Sequence, residues 1–248
     1  MTTTAECTLE VPLIDFRRAI ASVRPHAEKT KAGDELTAFQ RVRFIAAQSE
    51  LYVCATNGTT SALAAVEIMT DSRATRFDKD DGEFALDMSP ALVSDLRAGL
   101  RINRTEMDED QQVARVTFTD DTISAVDVSG LWPGSKTARP TLAYSADYPD
   151  LHGALSRALG AAGQAIKPMD GAAEVLAPFL SAAREYDKPL RFESTGPTMS
   201  RGFIVWCGRR FIGSVSSQHH DDDSMSRRES ERRAHLERLG LQPALAGL

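Results

Sequence analysis

One passage occurs twice, and it restricts the fold more than any other feature of the chain. Leu9-Glu10-Val11-Pro12 runs straight into Leu13-Ile14-Asp15-Phe16-Arg17-Arg18-Ala19-Ile20, a strand-like run followed without a loop by a helical pattern. Phe84-Ala85-Leu86-Asp87-Met88 runs into Ser89–Leu100 with the same order. Leu13, Phe16, Ile20 and Val23 mark one face of the first helix; Leu92, Val93, Leu96 and Leu100 mark one face of the second. Ser89 is placed to cap the second helix, and Pro90 stands at its first position, where a missing N–H costs nothing.

After each helix the period changes. Residues 39–47, 50–56 and 60–69 are short runs rich in β-branched and aromatic side chains, and Asn57-Gly58 between two of them signals a hairpin. Residues 113–119 and 122–128 follow the second helix, joined across Asp120-Asp121, with Val116 and Phe118 on the face opposite Arg115 and Thr117. Residues 1–130 are therefore expected to form an α+β domain with an internal duplication.

Gly130-Leu131-Trp132-Pro133-Gly134-Ser135-Lys136 breaks the pattern, and 131–148 is read as an inter-domain linker. Beyond it, Leu151, Leu155, Ala158, Leu159, Ala162 and Ile166 predict a helix started by Pro149 or Asp150, and Val175, Leu176, Phe179, Leu180 and Ala183 predict another. Strands are expected at 190–194, 202–207 and 210–214, so 149–217 forms a second, smaller domain. From 218 to 248 the chain is polar and charged, with Leu236 and Leu239 almost alone as apolar residues between 226 and 239, and a flexible tail is expected.

This order of elements resembles the DNA sliding clamps, the family of the bacterial DNA polymerase III β subunit and proliferating-cell nuclear antigen. The likeness rests on Gly82-Glu83-Phe84-Ala85-Leu86 running into Ser89–Leu100, on the strand pair ending Ser124-Ala125-Val126-Asp127, and on the junction Asp147-Tyr148-Pro149-Asp150. Pro189-Leu190-Arg191-Phe192-Glu193, with 203–205 and 210–215, looks like the closing strands of a clamp domain. The likeness spans residues 5–217. It departs from the family where only Pro168-Met169-Asp170-Gly171 separates the third and fourth helices, which leaves no room for the second domain's inner strands.

The resemblance implies a replication accessory (processivity) factor rather than an enzyme. It would contact duplex DNA without reading bases, tether a polymerase or clamp loader, and self-associate, as a trimeric ring if the ring closes. Such contact is electrostatic and goes to phosphates, so basic residues should gather on helices even though the chain carries a net charge of −6. On 13–29, Arg17, Arg18, Arg24 and Lys29 outnumber Asp15 and Glu28 by two. Arg97, Arg101 and Arg104 outnumber Asp95 by two on 89–104, and Arg157 and Lys167 face no acid on 151–167. The fourth helix departs from this, with Arg184 and Lys188 against Glu174, Glu185 and Asp187. The candidate DNA contacts are thus Arg17, Arg18, Arg24, Arg97, Arg101, Arg104, Arg157, Lys167, Arg184 and Lys188. By the same resemblance Trp132, beside the inter-domain connection, is the candidate for a partner-peptide pocket.

Other chemistries find little support. No Gly-rich phosphate loop and no Gly-x-Ser-x-Gly elbow occurs, and no cofactor is expected. His219-His220-Asp221-Asp222-Asp223 holds metal-ligating residue types, but neighbours in a flexible tract converge poorly on one ion. The cysteines Cys7, Cys54 and Cys207 lack C-x-x-C spacing and read as buried free thiols. The N-terminal residues lack the basic and apolar regions of a secretory signal, no apolar run spans a bilayer, and a cytoplasmic setting is expected. Two alternatives remain: a monomeric clamp-derived binding module that does not encircle DNA, and an unrelated α+β enzyme whose site is assembled from distant residues.

Overall fold

The computed structural model describes residues 6–29, 36–47, 49–69, 76–77, 84–102, 111–130, 134–160, 173–194 and 202–216, together with Ser230. The elements are β1 (Glu6–Pro12), α1 (Leu13–Val23), β2 (Val42–Ala46), β3 (Glu50–Thr56), β4 (Thr60–Glu67), β5 (Arg76–Phe77), β6 (Phe84–Met88), α2 (Pro90–Gly99), β7 (Val113–Thr119), β8 (Thr122–Asp127), β9 (Thr137–Pro140), α3 (Leu151–Gly160), α4 (Ala173–Tyr186), β10 (Leu190–Ser194), β11 (Gly202–Cys207) and β12 (Phe211–Ser216).

The expected repeat is present as β1-α1-β2-β3-β4 and β6-α2-β7-β8-β9, and the two copies exchange their first strands. β1 pairs antiparallel with β7, with Leu9 opposite Val116, while β6 pairs antiparallel with β2, with Leu86 opposite Phe44. The result is a five-stranded sheet, β5-β1-β7-β8-β9, and a seven-stranded sheet, β10-β11-β12-β4-β3-β2-β6. Every pairing between these strands is antiparallel. Burial follows the pleat. Ala114, Val116 and Phe118 of β7 are buried, and their neighbours in sequence are half-buried.

Local signals set the ends of the elements. Ser89 Oγ accepts the Leu92 N–H at 3.3 Å, Pro90 opens α2, and Asp150 Oδ1 accepts the Gly153 N–H at 2.8 Å in the first turn of α3. At the β3–β4 turn Gly58 takes φ +81°, and Asn57 Oδ1 accepts the Thr59 and Thr60 amides. α4 ends at Asp187, which adopts the left-handed φ of 49°.

One cluster of buried side chains draws on both sheets and on α1, α2 and α4, with Phe16, Phe44, Phe118, Phe179 and Phe211 among its largest members. α1 lies at its centre: Leu13, Phe16, Ala19, Ile20 and Val23 are wholly buried. A second cluster lies on the other face of the seven-stranded sheet. There Leu151 and Leu155 of α3 meet Tyr148, Cys54, Leu63 and Ile204, whereas Ala62, Ala64 and Val205 on the same strands point into the first cluster. The three cysteines are free and buried.

The expected boundary at 131–148 does not separate two domains. Residues 1–216 make one compact unit, because β12 pairs with β4 and carries β11 and β10 into the sheet begun by the first half. The described part of the supposed linker is bonded to the fold. β9 pairs with β8, the Leu142 N–H donates to Asp87 O at 2.8 Å, and Tyr148 Oη donates to Cys54 O at 2.9 Å. A second unit comprises 217–248, which apart from Ser230 lies outside the described residues, as does the His219–Asp223 tract.

Candidate nucleic-acid interface

α1 makes contact with both α2 and α4, so three of the four helices form one layer. Arginines join them. Arg17 Nη1 donates to the carbonyl of Arg97 at 2.6 Å, which also accepts the Leu100 N–H at 3.3 Å, in the last turn of α2, where the helix dipole favours a cation. Arg97 Nη2 in turn reaches Glu185 Oε1 of α4 at 2.8 Å. Arg24, just past α1, donates to Ser94 Oγ of α2 at 2.5 Å, and Ser181 Oγ of α4 donates to Ala21 O of α1 at 2.7 Å. Burial, and then the charge of Arg97, lower the pKa of Arg17, while Glu185 acts in the opposite direction.

The candidate residues therefore separate into groups. Arg17 is half-buried and hydrogen-bonded between helices, and Arg97 is tied to Glu185 with a third of its side chain exposed. Arg18 is half-buried on α1 with Nη1 3.7 Å from Asp15 Oδ1, and Asp15 also binds Arg210 of the β11–β12 turn. Arg24, Arg101 and Arg184 are exposed on or beside the three helices. Lys188 belongs elsewhere. With Pro189, Arg191, Glu193, Trp206, Gly208 and Arg209 it lines a cavity of about 400 Å³ at the β10–β11 end of the sheet. Arg157 is on α3, across the seven-stranded sheet from the other helices, so the four helices do not share one surface. Arg104, Lys167, Trp132 and the side chain of Arg157 lie outside the described residues.

A different cluster escaped the sequence reading. Arg43 of β2 and Asp87 of β6 stand opposite each other in register. Both are buried, and two hydrogen bonds join them, Nε to Oδ1 at 2.7 Å and Nη2 to Oδ2 at 3.0 Å. The guanidinium lies between Tyr144 and Tyr148, 4.4 Å and 4.2 Å from their ring centroids, and Nη2 donates to Ser145 O at 2.6 Å. Asp87 Oδ2 also accepts the Ser145 amide at 3.1 Å and lies 3.5 Å from Arg41. The signal was present in the sequence: one charge in each of two apolar strand runs, Val42-Arg43-Phe44 and Leu86-Asp87-Met88, with opposite signs. This is a fastening rather than a reaction centre, since its groups are spent on one another. Among the described residues no group of three or more His, Cys, Asp or Glu side chains could hold a metal ion, and no helix is long and apolar enough to cross a membrane.

Two antiparallel sheets built from an exchanged strand–helix repeat, with helices against them, constitute the fold of the DNA polymerase sliding clamps, and the chain has that fold. A sliding clamp from Pseudomonas aeruginosa superposes with a TM-score of 0.56 at 10% identity, covering 86% of this chain and 66% of that one. The sliding clamp from Bacillus subtilis gives 0.54 at 12% identity, over 86% and 64%. The DNA polymerase III β subunit from Thermotoga maritima gives 0.53 at 10% identity, over 87% and 66%. The chain thus spans just under two thirds of the length of these structures, and at such identities the likeness is one of fold. No protein-family model matches the chain, and no curated protein matches it by sequence.

Proposed function

We propose that the protein is a clamp-like replication accessory factor that contacts duplex DNA without sequence preference through the α1–α2–α4 layer and tethers a polymerase or clamp loader to it. The observation that carries this reading is the joining of three arginine-bearing helices into one layer in a chain with the clamp fold. Arg24, Arg101 and Arg184 supply exposed cations there, and Arg18 and Arg97 supply partly screened ones. Phosphate neutralisation by such residues depends on charge rather than on base identity. Catalysis is not part of the proposal.

Binding of the full chain to a fluorescently labelled duplex of arbitrary sequence, measured by anisotropy across a salt series, tests it. The expected result is binding that weakens steeply with salt and is indifferent to sequence. Arg101→Glu combined with Arg184→Glu should reduce affinity at least about tenfold at low salt. Unchanged affinity in that variant, or no binding at low salt, would overturn the proposal.

A further inference from the structure

The seven-stranded sheet ends, among the described residues, at β10, where Leu190 packs against the main buried cluster but Arg191, Phe192 and Glu193 are exposed. Arg191 and Glu193 are exposed on one face. Phe192, on the other, is 37% exposed although its partner in register, Val205, is wholly buried. The cluster that buries Val205 therefore reaches β10 at Leu190 but leaves Phe192 open. The cavity beside Trp206 shows the opposite face to be open at the same place, and the indole N–H of Trp206 has no hydrogen-bond partner.

An edge strand is a template for another strand, and charges placed on it ordinarily discourage pairing. Here the charges have opposite sign two residues apart on one face, flanking an aromatic residue. A two-fold axis through Phe192 would set Arg191 of one copy opposite Glu193 of the other, twice, with Phe192 against Phe192. Among the described residues neither charge has an ion-pair partner within its own chain.

We propose that β10 pairs antiparallel with β10 of a second copy of this chain, giving a two-fold dimer whose register is set by the Arg191–Glu193 pairs. Such an isologous contact closes after two copies, whereas a ring requires two different edges to meet. The pairing needs no DNA contact and holds whether or not the helices bind DNA. A ladder centred on Arg191, Phe192 and Glu193 is short, so the dimer should dissociate on dilution, with a dissociation constant on the order of micromolar.

Light scattering on eluting samples of the full chain, over a range of concentrations, reads the outcome. The expected mass rises from that of the 27.0 kDa monomer towards twice that value. Arg191→Glu alone and Glu193→Arg alone each place like charges opposite one another and should weaken dimerisation at least about tenfold. Mixing the two variants restores opposite charges at both pairs and should restore the dimer, which misfolded chains would not do. A wild-type chain that stays monomeric at every concentration, or forms a trimer, overturns the proposal. So do single variants that dimerise as the wild type does, or a mixture that fails to associate.

Discussion

Asp87 shows how much one buried side chain can hold. Its carboxylate binds Arg43 through two hydrogen bonds, accepts the Ser145 amide and faces Arg41, all with no exposure of its own. Taking away the carboxylate leaves the Arg43 guanidinium buried and uncompensated. Asp87→Ala should therefore cost about 3–5 kcal/mol in chemical denaturation. A loss below about 1 kcal/mol would show that the cluster is solvated in solution. His26 is buried in a different way. Its Nδ1 lies 3.1 Å from Thr60 Oγ1, its Nε2 has no partner, and its ring meets Phe179 edge-on at 4.5 Å. Burial lowers its pKa from 6.5 to about 3. The folded state thus keeps His26 neutral where the unfolded chain takes up a proton. Its contribution to stability is whole above pH 6.5 and is lost as pH falls towards 3. Carboxylates titrate in the same window, so the informative quantity is a difference. The slope of unfolding free energy with pH should be shallower in His26→Gln than in the wild type by about 1 kcal/mol per pH unit. Parallel slopes would contradict this.

At the level of elements, the docking of α4 depends on a missing side chain. A Cβ on Gly213 of β12 would lie 2.6 Å from the ring of Phe179 and 2.5 Å from the carbonyl oxygen of Ser61. The glycine lets the Phe179 ring lie against the strand. Gly213→Ala should destabilise the fold by about 1–3 kcal/mol in thermal or urea unfolding, because the obstacles are backbone and a packed ring. Little or no loss would mean that α4 lies further from the sheet than described. The sequence marks α2 clearly, since Ser89, Pro90 and the apolar stripe all act within one turn of each other. β9 was not legible: Thr137-Ala138-Arg139-Pro140 has no apolar alternation and is a strand because β8 offers it an edge. Nor was the pairing of β12 with β4, which joins residues about 150 apart by backbone bonds that leave no local pattern. The same non-local pairing undid the expected domain boundary. The candidate arginines were legible by type, but their partners were not, because Arg17, Arg97 and Glu185 meet only when α1 brings α2 and α4 together.

Across the whole molecule, the proposed DNA contact has to work against an unfavourable field. The chain carries −6, and carboxylates within the helical layer oppose several of its arginines. Glu185 is the most telling of these, since it holds Arg97 while both groups remain partly open to solvent. A pair so exposed contributes no more than about 1 kcal/mol to folding. Against a phosphate, however, Glu185 acts twice, repelling the anion and occupying the cation that would bind it. Glu185→Gln should leave stability nearly unchanged and strengthen duplex binding. It should also steepen the dependence of log affinity on log salt by roughly 0.9, the increment for one further neutralised phosphate. The comparison uses the same labelled duplex and salt series for parent and variant. If the parent binds DNA and Glu185→Gln changes neither affinity nor slope, Arg97 takes no part in the contact. The interface would then rest on the exposed Arg24, Arg101 and Arg184.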